Sequence, residues 1–141
     1  MTTTRRAETT WQGGLTDGKG TVELVSSHVG TFDVTWASRA EQPDGRTSPE
    51  ELIAAAHSSC FSMALSAGLG KAGHPPDRLD TSAEVDFTPG TGITQIRLTV
   101  RGDVPGMSAD DFIAAAEGAK ANCPVSKALT GVEILLDAGL A

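Results

Sequence analysis

The chain has 141 residues, a hydrophobic fraction of 39% and a formal net charge of −7, from 11 Lys and Arg against 18 Asp and Glu. A chain of this length buries about two thirds of its unfolded surface without disulfides or a structural metal, so we exclude a disordered or disulfide-stapled class. Phosphate binding rests on clustered cations, and the sequence has no basic run, so we expect no nucleic acid partner.

The N-terminal residues and the lengths of the apolar runs indicate the cellular compartment. Residues 1–6 lack the apolar core of a signal peptide, and no apolar run approaches the ~18 to 20 residues that a membrane-spanning helix needs. We therefore expect a cytoplasmic protein with no membrane partner. In a reducing compartment its two cysteines are expected to be free, catalytic or metal-bound rather than permanently crosslinked.

The first third of the chain predicts a meander of short strands. Residues 7–12 alternate weakly and lead to two glycines and then to Asp17-Gly18-Lys19-Gly20, a turn sequence, so we predict a hairpin. Residues 21–26 and 31–36 predict two further strands. A polar loop over residues 37–47 follows and contains two arginines.

Residues 48–66 predict one long helix that carries a cysteine near its middle. Ser48 is a good N-cap, Pro49 suits the first helical position, and Glu51 completes a capping box. After the first turn almost no charged face remains, and the pattern continues to about residues 70–73, before two prolines. A soluble protein must bury such a helix nearly all round. At ~1.5 Å per residue it is as long as the domain is wide, so we expect another subunit to cover part of it.

The rest of the chain predicts a hairpin over residues 80–101, a helix from Ser108 to about Asn122, a short helix over 124–129 and a final strand near 132–136. Runs of adjacent strands predict an α+β fold, with a mainly antiparallel sheet around the long central buried helix. No linker or repeat interrupts the pattern, so we expect residues 1–141 to form a single domain.

The two cysteines, Cys60 and Cys123, are too far apart in sequence for a CxxC motif or a zinc ribbon. Cys60 lies mid-helix among small residues, where a buried small hydrophobe and a reactive thiol are both open interpretations. Cys123 directly precedes a proline that begins a helix. Free backbone N–H groups and the helix dipole at that position lower a thiol pKa, although the position can also be accidental.

A reactive mid-helix thiol needs a cation from elsewhere in the chain, because the helix dipole is weak there. Arg39 and Arg46, in the polar loop, are the candidates, and Glu50 is placed to hold a guanidinium by a planar two-point contact. The alternative for each arginine is a solvated loop residue. The alternative for Glu50 is a favourable charge in the first turn of the helix.

His57 lies one turn before Cys60 and is a candidate base or metal ligand. The chain has only three histidines, His28, His57 and His74, at unrelated spacings, which argues against a zinc or iron site. The large apolar residues predict either a pocket or core; they are Trp11, Trp36, Phe61, Met63 and Phe112.

Two segments, residues 47–66 and 122–129, closely resemble the OsmC/Ohr family of thiol-dependent peroxidases, and the first resembles the OsmC branch more than the Ohr branch. By this resemblance Cys60 is the peroxidatic cysteine and Cys123 the resolving cysteine, which closes an intramolecular disulfide. Glu50 matches the glutamate that holds the catalytic arginine. Residues 38–41 resemble the family's arginine segment better than residues 45–47 do, which favours Arg39 and leaves Arg46 as the alternative.

The resemblance also implies an intertwined homodimer with the long helices packed inside. It implies hydroperoxide substrates, preferentially organic ones, and a dithiol reductant such as a lipoylated protein, with no metal, haem or flavin cofactor. The alternatives on the same fold are a non-enzymatic redox sensor and a binder of small hydrophobic ligands. A metal-binding protein is the third alternative.

Overall fold

The computed structural model describes all 141 residues and has a mixed α+β architecture with two three-stranded sheets. It divides into two compact units, Met1–Leu52 and Ile53–Ala141. The elements follow the order β1 Glu8–Gln12, β2 Lys19–Glu23, β3 Thr31–Val34, α1 Trp36–Ala40, α2 Pro49–Lys71, β4 Arg78–Thr88, β5 Gly92–Asp103, α3 Ala109–Asn122, α4 Pro124–Ala128 and β6 Glu133–Leu140.

The N-terminal unit contains an antiparallel sheet in the order β1-β2-β3, which confirms the predicted hairpin and meander. Trp11 pairs with Gly20 across β1 and β2. A Cβ atom at Gly20 would lie 2.7 Å from Cε3 of Trp11, so the absent side chain is what lets the indole ring lie across the neighbouring strand.

The prediction of a loop over residues 37–47 is wrong in its first part, because α1 occupies residues 36–40. Thr35 and Ser38 form a reciprocal capping box, in which Thr35 Oγ1 accepts from the Ser38 N–H and Ser38 Oγ accepts from the Thr35 N–H, both at 3.0 Å. Ser38 Oγ is also 2.9 Å from the carbonyl oxygen of Thr47. A helix of five residues is too short to show the periodicity that reveals longer helices.

Helix α2 begins at Pro49 and ends at Lys71, close to the predicted bounds, and Ser48 Oγ accepts from the Glu51 N–H at 3.2 Å. One face of α2 carries Phe61, Leu65 and Leu69, which are completely buried. The other face is exposed in the single chain; it comprises Ala55, Ala56, Ser59, Met63, Ser66 and Ala67, with Met63 73% exposed. The chain alone therefore does not provide the all-round burial that the sequence predicts.

Helix α2 has the length and the composition of a membrane-crossing helix, with a mean hydropathy of 1.4. This differs from the expectation that no apolar run approaches that length, because serines and His57 interrupt the apolar residues of α2 without lowering its mean hydropathy below that of a membrane-crossing helix. A core helix of a soluble protein meets the same criterion. The buried face of α2 belongs to the core of residues 53–141, which accounts for the apolar residues on that face but not for those on the exposed face.

The C-terminal unit contains the second sheet, in the order β4-β5-β6. Strands β4 and β5 form the predicted antiparallel hairpin, whereas β6 runs parallel to β5. A parallel pair needs a long crossover, and α3 and α4 supply it. The core joins residues of α2, β5 and α3, namely Phe61, Leu65, Leu69, Leu98, Val100, Phe112, Ala116 and Ala119, together with Cys123.

Candidate functional site

The crossover from β5 to β6 brings the two cysteines of the chain together within the C-terminal unit. Cys60 lies in the middle of α2, and Cys123 lies between α3 and α4. Their Sγ atoms are 3.0 Å apart and share one hydrogen bond, although the cysteines are 63 positions apart in sequence. Both are free thiols. The spacing of the two cysteines in the sequence does not show whether they are in contact, because that contact depends on how α3 and α4 pack.

The two thiols differ in their surroundings. Cys60 is partly buried, whereas Cys123 has no exposed surface. Cys123 is the last residue before α4, whose first position is Pro124. Its own N–H donates to the Ala119 carbonyl at 2.8 Å and its carbonyl accepts from the Lys127 N–H at 3.0 Å, so the backbone on both sides of the sulfur is fixed by helices.

Hydrogen bonding separates the pKa values of the two thiols. Burial raises the pKa of Cys60, as does its hydrogen bond with Cys123, and only the Val125 backbone N–H acts in the opposite direction. Burial alone would also raise the pKa of Cys123, but hydrogen bonds from Cys60, from Ser126 and from the Val125 backbone lower it overall. Either thiol can donate the shared S–H···S bond, and the helix N-terminus favours Cys123 as its acceptor. A thiolate at Cys60 therefore needs a further cation.

A buried histidine contacts the same cluster. His57 has no exposed surface, and its Nε2 is 2.7 Å from Ser126 Oγ. Its Nδ1 is buried with no hydrogen-bond partner. Burial lowers the pKa of His57, so the ring is neutral at physiological pH. No group of three His, Cys, Asp or Glu side chains is arranged to hold a metal ion, and the His57 contact is a serine.

Sequence reasoning missed Ser126. This serine is buried, with 4% of its surface exposed, and its side chain and backbone help to lower the pKa of the Cys123 thiol. The available signal was its spacing: a residue three positions after a helix N-cap has its N–H directed at the cap side chain. Serine is common at helix starts for ordinary reasons, so the spacing alone carries little information.

The N-terminal unit holds the other predicted pair. Arg39 Nε donates to Glu50 Oε1 at 2.9 Å and to Oε2 at 3.2 Å, and Arg39 Nη2 lies 2.8 Å from Oε1. The Glu50 side chain is 8% exposed, whereas that of Arg39 is 32% exposed. The Thr35 cap sets the direction of α1, which places Arg39 over the first turn of α2. A guanidinium held at Nε by a buried carboxylate is fixed in orientation.

Arg46, the alternative arginine, does not contact Glu50. Its Nη1 lies 3.6 Å from the Asp44 carboxylate and 3.3 Å from the Asp44 carbonyl oxygen, and its side chain is 43% exposed. Ion pairs of this kind at the surface hold a side chain weakly. The structure thus brings Glu50 together with Arg39 and leaves Arg46 in a local turn.

An apolar cavity of ≈ 390 Å³ opens beside Arg39 within the N-terminal unit. Arg39 is the charged group of its wall, and the other lining residues are mostly apolar; they include Trp11, Leu15, Val22, Val34, Trp36 and Leu52. Of the large apolar residues singled out in the sequence, the two tryptophans line this cavity, and Phe61 and Phe112 are core. Such a wall binds an apolar group and presents one cation to a polar end.

Comparisons with known proteins agree with this architecture. A family model described as OsmC-like protein matches residues 42–137. The chain is 43% identical over 140 residues to a protein named peroxiredoxin OsmC in Escherichia coli strain K12. The aligned residues cover 97% of this chain and 96% of that relative. A protein of the same name in Shigella flexneri matches equally well.

Solved structures of related proteins share the fold. An organic hydroperoxide resistance protein from Elizabethkingia anophelis has 25% identity and a TM-score of 0.73, with all of both chains covered. The OhrB protein of Bacillus subtilis has 23% identity and a TM-score of 0.70, with 94% of this chain and 97% of that chain covered. The family match and the 43% identity over nearly the whole length together establish that the chain belongs to the OsmC-like family.

Proposed function

We propose that this protein is a thiol-dependent peroxidase that reduces organic hydroperoxides to alcohols in defence against oxidative stress. The observation that carries the proposal is the 3.0 Å separation of the Cys60 and Cys123 sulfurs. The two sulfurs need to approach by only about 1 Å to reach the ~2.05 Å length of a disulfide bond. The peroxiredoxin name of the 43% identical relatives supports the same chemistry.

Cys60 acts as the peroxidatic residue and Cys123 as the resolving residue. The Cys60 thiolate attacks the terminal peroxide oxygen, the O–O bond breaks, and the leaving alkoxide takes a proton to become the alcohol. Cys60 is then a sulfenic acid. The Cys123 sulfur attacks the Cys60 sulfur, the S–O bond breaks, and a disulfide and water result.

Arg39, oriented by Glu50, supplies the cation that Cys60 needs in this proposal. Burial and the Cys123 hydrogen bond both raise the pKa of Cys60, and no charged side chain lowers it. Arg39 has the two-point contact to Glu50 that fixes a guanidinium, whereas the Arg46 guanidinium pairs with Asp44. The choice of Arg39 rests on this difference.

The preference for organic peroxides rests on the cavity beside Arg39. Its largely apolar wall suits the hydrocarbon part of an organic hydroperoxide, and the guanidinium suits its polar peroxide end. Hydrogen peroxide gains nothing from the apolar surface. We therefore expect turnover to favour alkyl hydroperoxides.

The remaining elements of the proposal concern partners. A thiol reductant must reopen the disulfide, and a dithiol such as a lipoylated protein suits this because its second thiol completes the exchange. A second copy of the chain covers the exposed apolar face of α2, which gives an intertwined homodimer of single-domain subunits in the cytoplasm. The exposed Met63 and the small residues around it support close helix approach.

The test is treatment of the reduced protein with one equivalent of cumene hydroperoxide, followed by peptide mass mapping. We expect one alcohol per chain and a Cys60–Cys123 disulfide. The Cys60→Ser variant should consume no peroxide, and the Cys123→Ser variant should accumulate a sulfenic acid that dimedone traps. A Cys60→Ser protein that still consumes peroxide contradicts the mechanism. Disulfide formation without repeated turnover on adding dihydrolipoamide or another dithiol indicates a redox sensor instead.

A further inference from the structure

The structure contains a buried imidazole, that of His57, which has no role in the proposed peroxidase steps. His57 has no exposed surface, although transfer of a histidine to the interior is costly unless its polar atoms are paired. Only Nε2 is paired, at 2.7 Å from Ser126 Oγ, and Nδ1 has no partner. A small apolar residue at position 57 would avoid the unpartnered nitrogen, so packing alone does not explain this side chain.

Ser126 connects this imidazole to a reacting atom. Ser126 lies three residues after Cys123 at the start of α4, where its side chain helps to lower the pKa of the Cys123 thiol, and its hydroxyl oxygen is 2.7 Å from His57 Nε2. A hydroxyl has one proton to donate and lone pairs to accept with, so it can bridge the two in either direction. When His57 donates, the Ser126 proton is directed at the Cys123 sulfur. When His57 accepts, the chain runs from the thiol to the ring.

We propose that Ser126 and His57 form a proton relay that serves Cys123 in the disulfide-forming step, with Ser126 in contact with the sulfur and His57 as a positioning residue behind it. The proposal rests on the peroxidase function proposed above. It assigns to the resolving cysteine an activating pair separate from Arg39 and Glu50, which we assign to the peroxidatic cysteine.

In the disulfide-forming step the relay removes the thiol proton of Cys123 while the Cys123 sulfur bonds to the Cys60 sulfur. Cys123 passes its thiol proton to Ser126 Oγ as the Ser126 proton moves to His57 Nε2, and the freed electron pair on the Cys123 sulfur attacks the sulfur of the Cys60 sulfenic acid. The S–O bond breaks, and the leaving hydroxide takes a proton from solvent to become water. The imidazolium then returns its proton to solvent. The net change is one thiol and one sulfenic acid to one disulfide and one water.

The surroundings of the ring favour a short-lived imidazolium. The thiols of Cys60 and Cys123 are the titratable groups of the cluster, and two cations, Lys120 and Lys127, line a surface cavity of ≈ 260 Å³ together with Ser126. Lys120 is within 3.7 Å of Glu117, and no carboxylate hydrogen bonds to His57. Burial without a counter-ion keeps His57 neutral between turnovers and therefore able to accept a proton.

The experiment isolates the second step in the full-length protein. Reduced enzyme is mixed with one equivalent of cumene hydroperoxide, and the decay of the Cys60 sulfenic acid is followed by quenching with dimedone and mass spectrometry. Ser126→Ala and His57→Gln should prolong the sulfenic acid at least about tenfold, while the rate of its formation stays unchanged. Ser126→Thr, which keeps the hydroxyl, should restore wild-type decay.

A second readout separates a relay from loss of packing. In a Cys60→Ser background, the pH midpoint for alkylation of Cys123 by iodoacetamide should rise by about one pH unit in Ser126→Ala. The matched control is Ser62→Ala, which removes a hydroxyl of α2 that bonds the Ser58 carbonyl and Thr81 Oγ1, both at 2.8 Å, and should change neither readout.

The outcomes distinguish the two proposals. Absence of any sulfenic acid in the wild-type protein contradicts the peroxidase proposal itself. Normal sulfenic acid formation, with wild-type decay and alkylation in both relay variants, overturns the relay alone. If Ser126→Ala does not fold, His57→Gln decides by itself, because glutamine can donate to Ser126 but cannot take up a proton at physiological pH.

Discussion

Arg39 illustrates how much a single side chain depends on what holds it. Its guanidinium makes a two-point contact with a carboxylate that is itself 8% exposed, so its direction is set by the fold rather than by solvent. Arg46, seven positions later, has a freer environment beside Asp44. Two arginines from one polar segment thus have different capacities to stabilise a thiolate.

We expect Arg39→Ala to slow the reaction of Cys60 with cumene hydroperoxide at neutral pH by about 100-fold, and Arg46→Ala to leave it within twofold. The thiolate is the reactive form and exists above the pKa. Because burial raises the pKa of Cys60, loss of the cation should move the onset of reactivity to higher pH. Stopped-flow rates from pH 5 to 10 check this, and an unchanged profile in Arg39→Ala contradicts the assignment.

For individual residues, the sequence indicated the residue types of the candidate site but only some of the contacts between them. Glu50 could be placed beside an arginine because it lies in the first turn of a well-capped helix, and family resemblance favoured Arg39. The capping of α1 by Thr35, which directs Arg39 toward Glu50, was not visible, because a five-residue helix has no periodic signal. Ser126 was missed because its role depends on a histidine 69 positions away.

Among the helices and strands, the packing of α3 on β5 determines whether the crossover places Cys123 beside Cys60. Phe112 of α3 is completely buried and lies against Gly102 of β5, where an added Cβ would be 2.6 Å from two of its ring atoms. Interiors are closely packed, so a side chain at position 102 would have to displace the Phe112 ring, and the position of α3 depends on a glycine in the neighbouring strand.

We expect Gly102→Ala to destabilise the protein by about 1–3 kcal/mol through overpacking, measured as the free energy of unfolding in urea. Gly118→Ala is the matched control, since Gly118 is exposed within α3 and nothing lies within 4 Å of an added Cβ. That variant should gain roughly 0.5–1 kcal/mol from helix propensity. Equal effects of the two variants contradict the packing argument.

The elements with strong local signals were predictable and the tertiary pairings were less so. Alternation over residues 80–101 and the Ser48-Pro49 start of α2 correspond to β4, β5 and α2 nearly residue for residue. The division of the strands into two sheets and the parallel pairing of β6 with β5 were not visible. Hydrophobic alternation reports which face of a strand is buried, but not which neighbour it pairs with.

For the whole molecule, the exposed face of α2 is the feature that one chain leaves unexplained. Met63 is 73% exposed there, and the residues beside it are small. An apolar helix face with this composition permits the close approach of a second helix, whereas water gains nothing from it. This surface supports the proposed homodimer.

We expect Met63→Glu to shift the protein toward monomer, because it would bury a charge where two α2 helices meet. Size-exclusion chromatography with light scattering measures this directly. Ile113→Glu is the control, since Ile113 is an exposed apolar residue of α3, 41% exposed, and should leave the assembly unchanged. A Met63→Glu protein with the wild-type mass contradicts the proposed interface.

The spacing of the two cysteines affects the stability of the oxidised enzyme, in which they form a disulfide. A bond between residues 63 positions apart closes a long loop and removes much of the freedom of the unfolded chain, which corresponds to about 4 kcal/mol in the chain-entropy model. Oxidised protein should therefore melt several degrees above reduced protein in calorimetry, with Cys123→Ser insensitive to oxidant. The catalytic cycle then alternates between a looser resting chain and a crosslinked one that resists heat, and its reductant must release that constraint at every turnover.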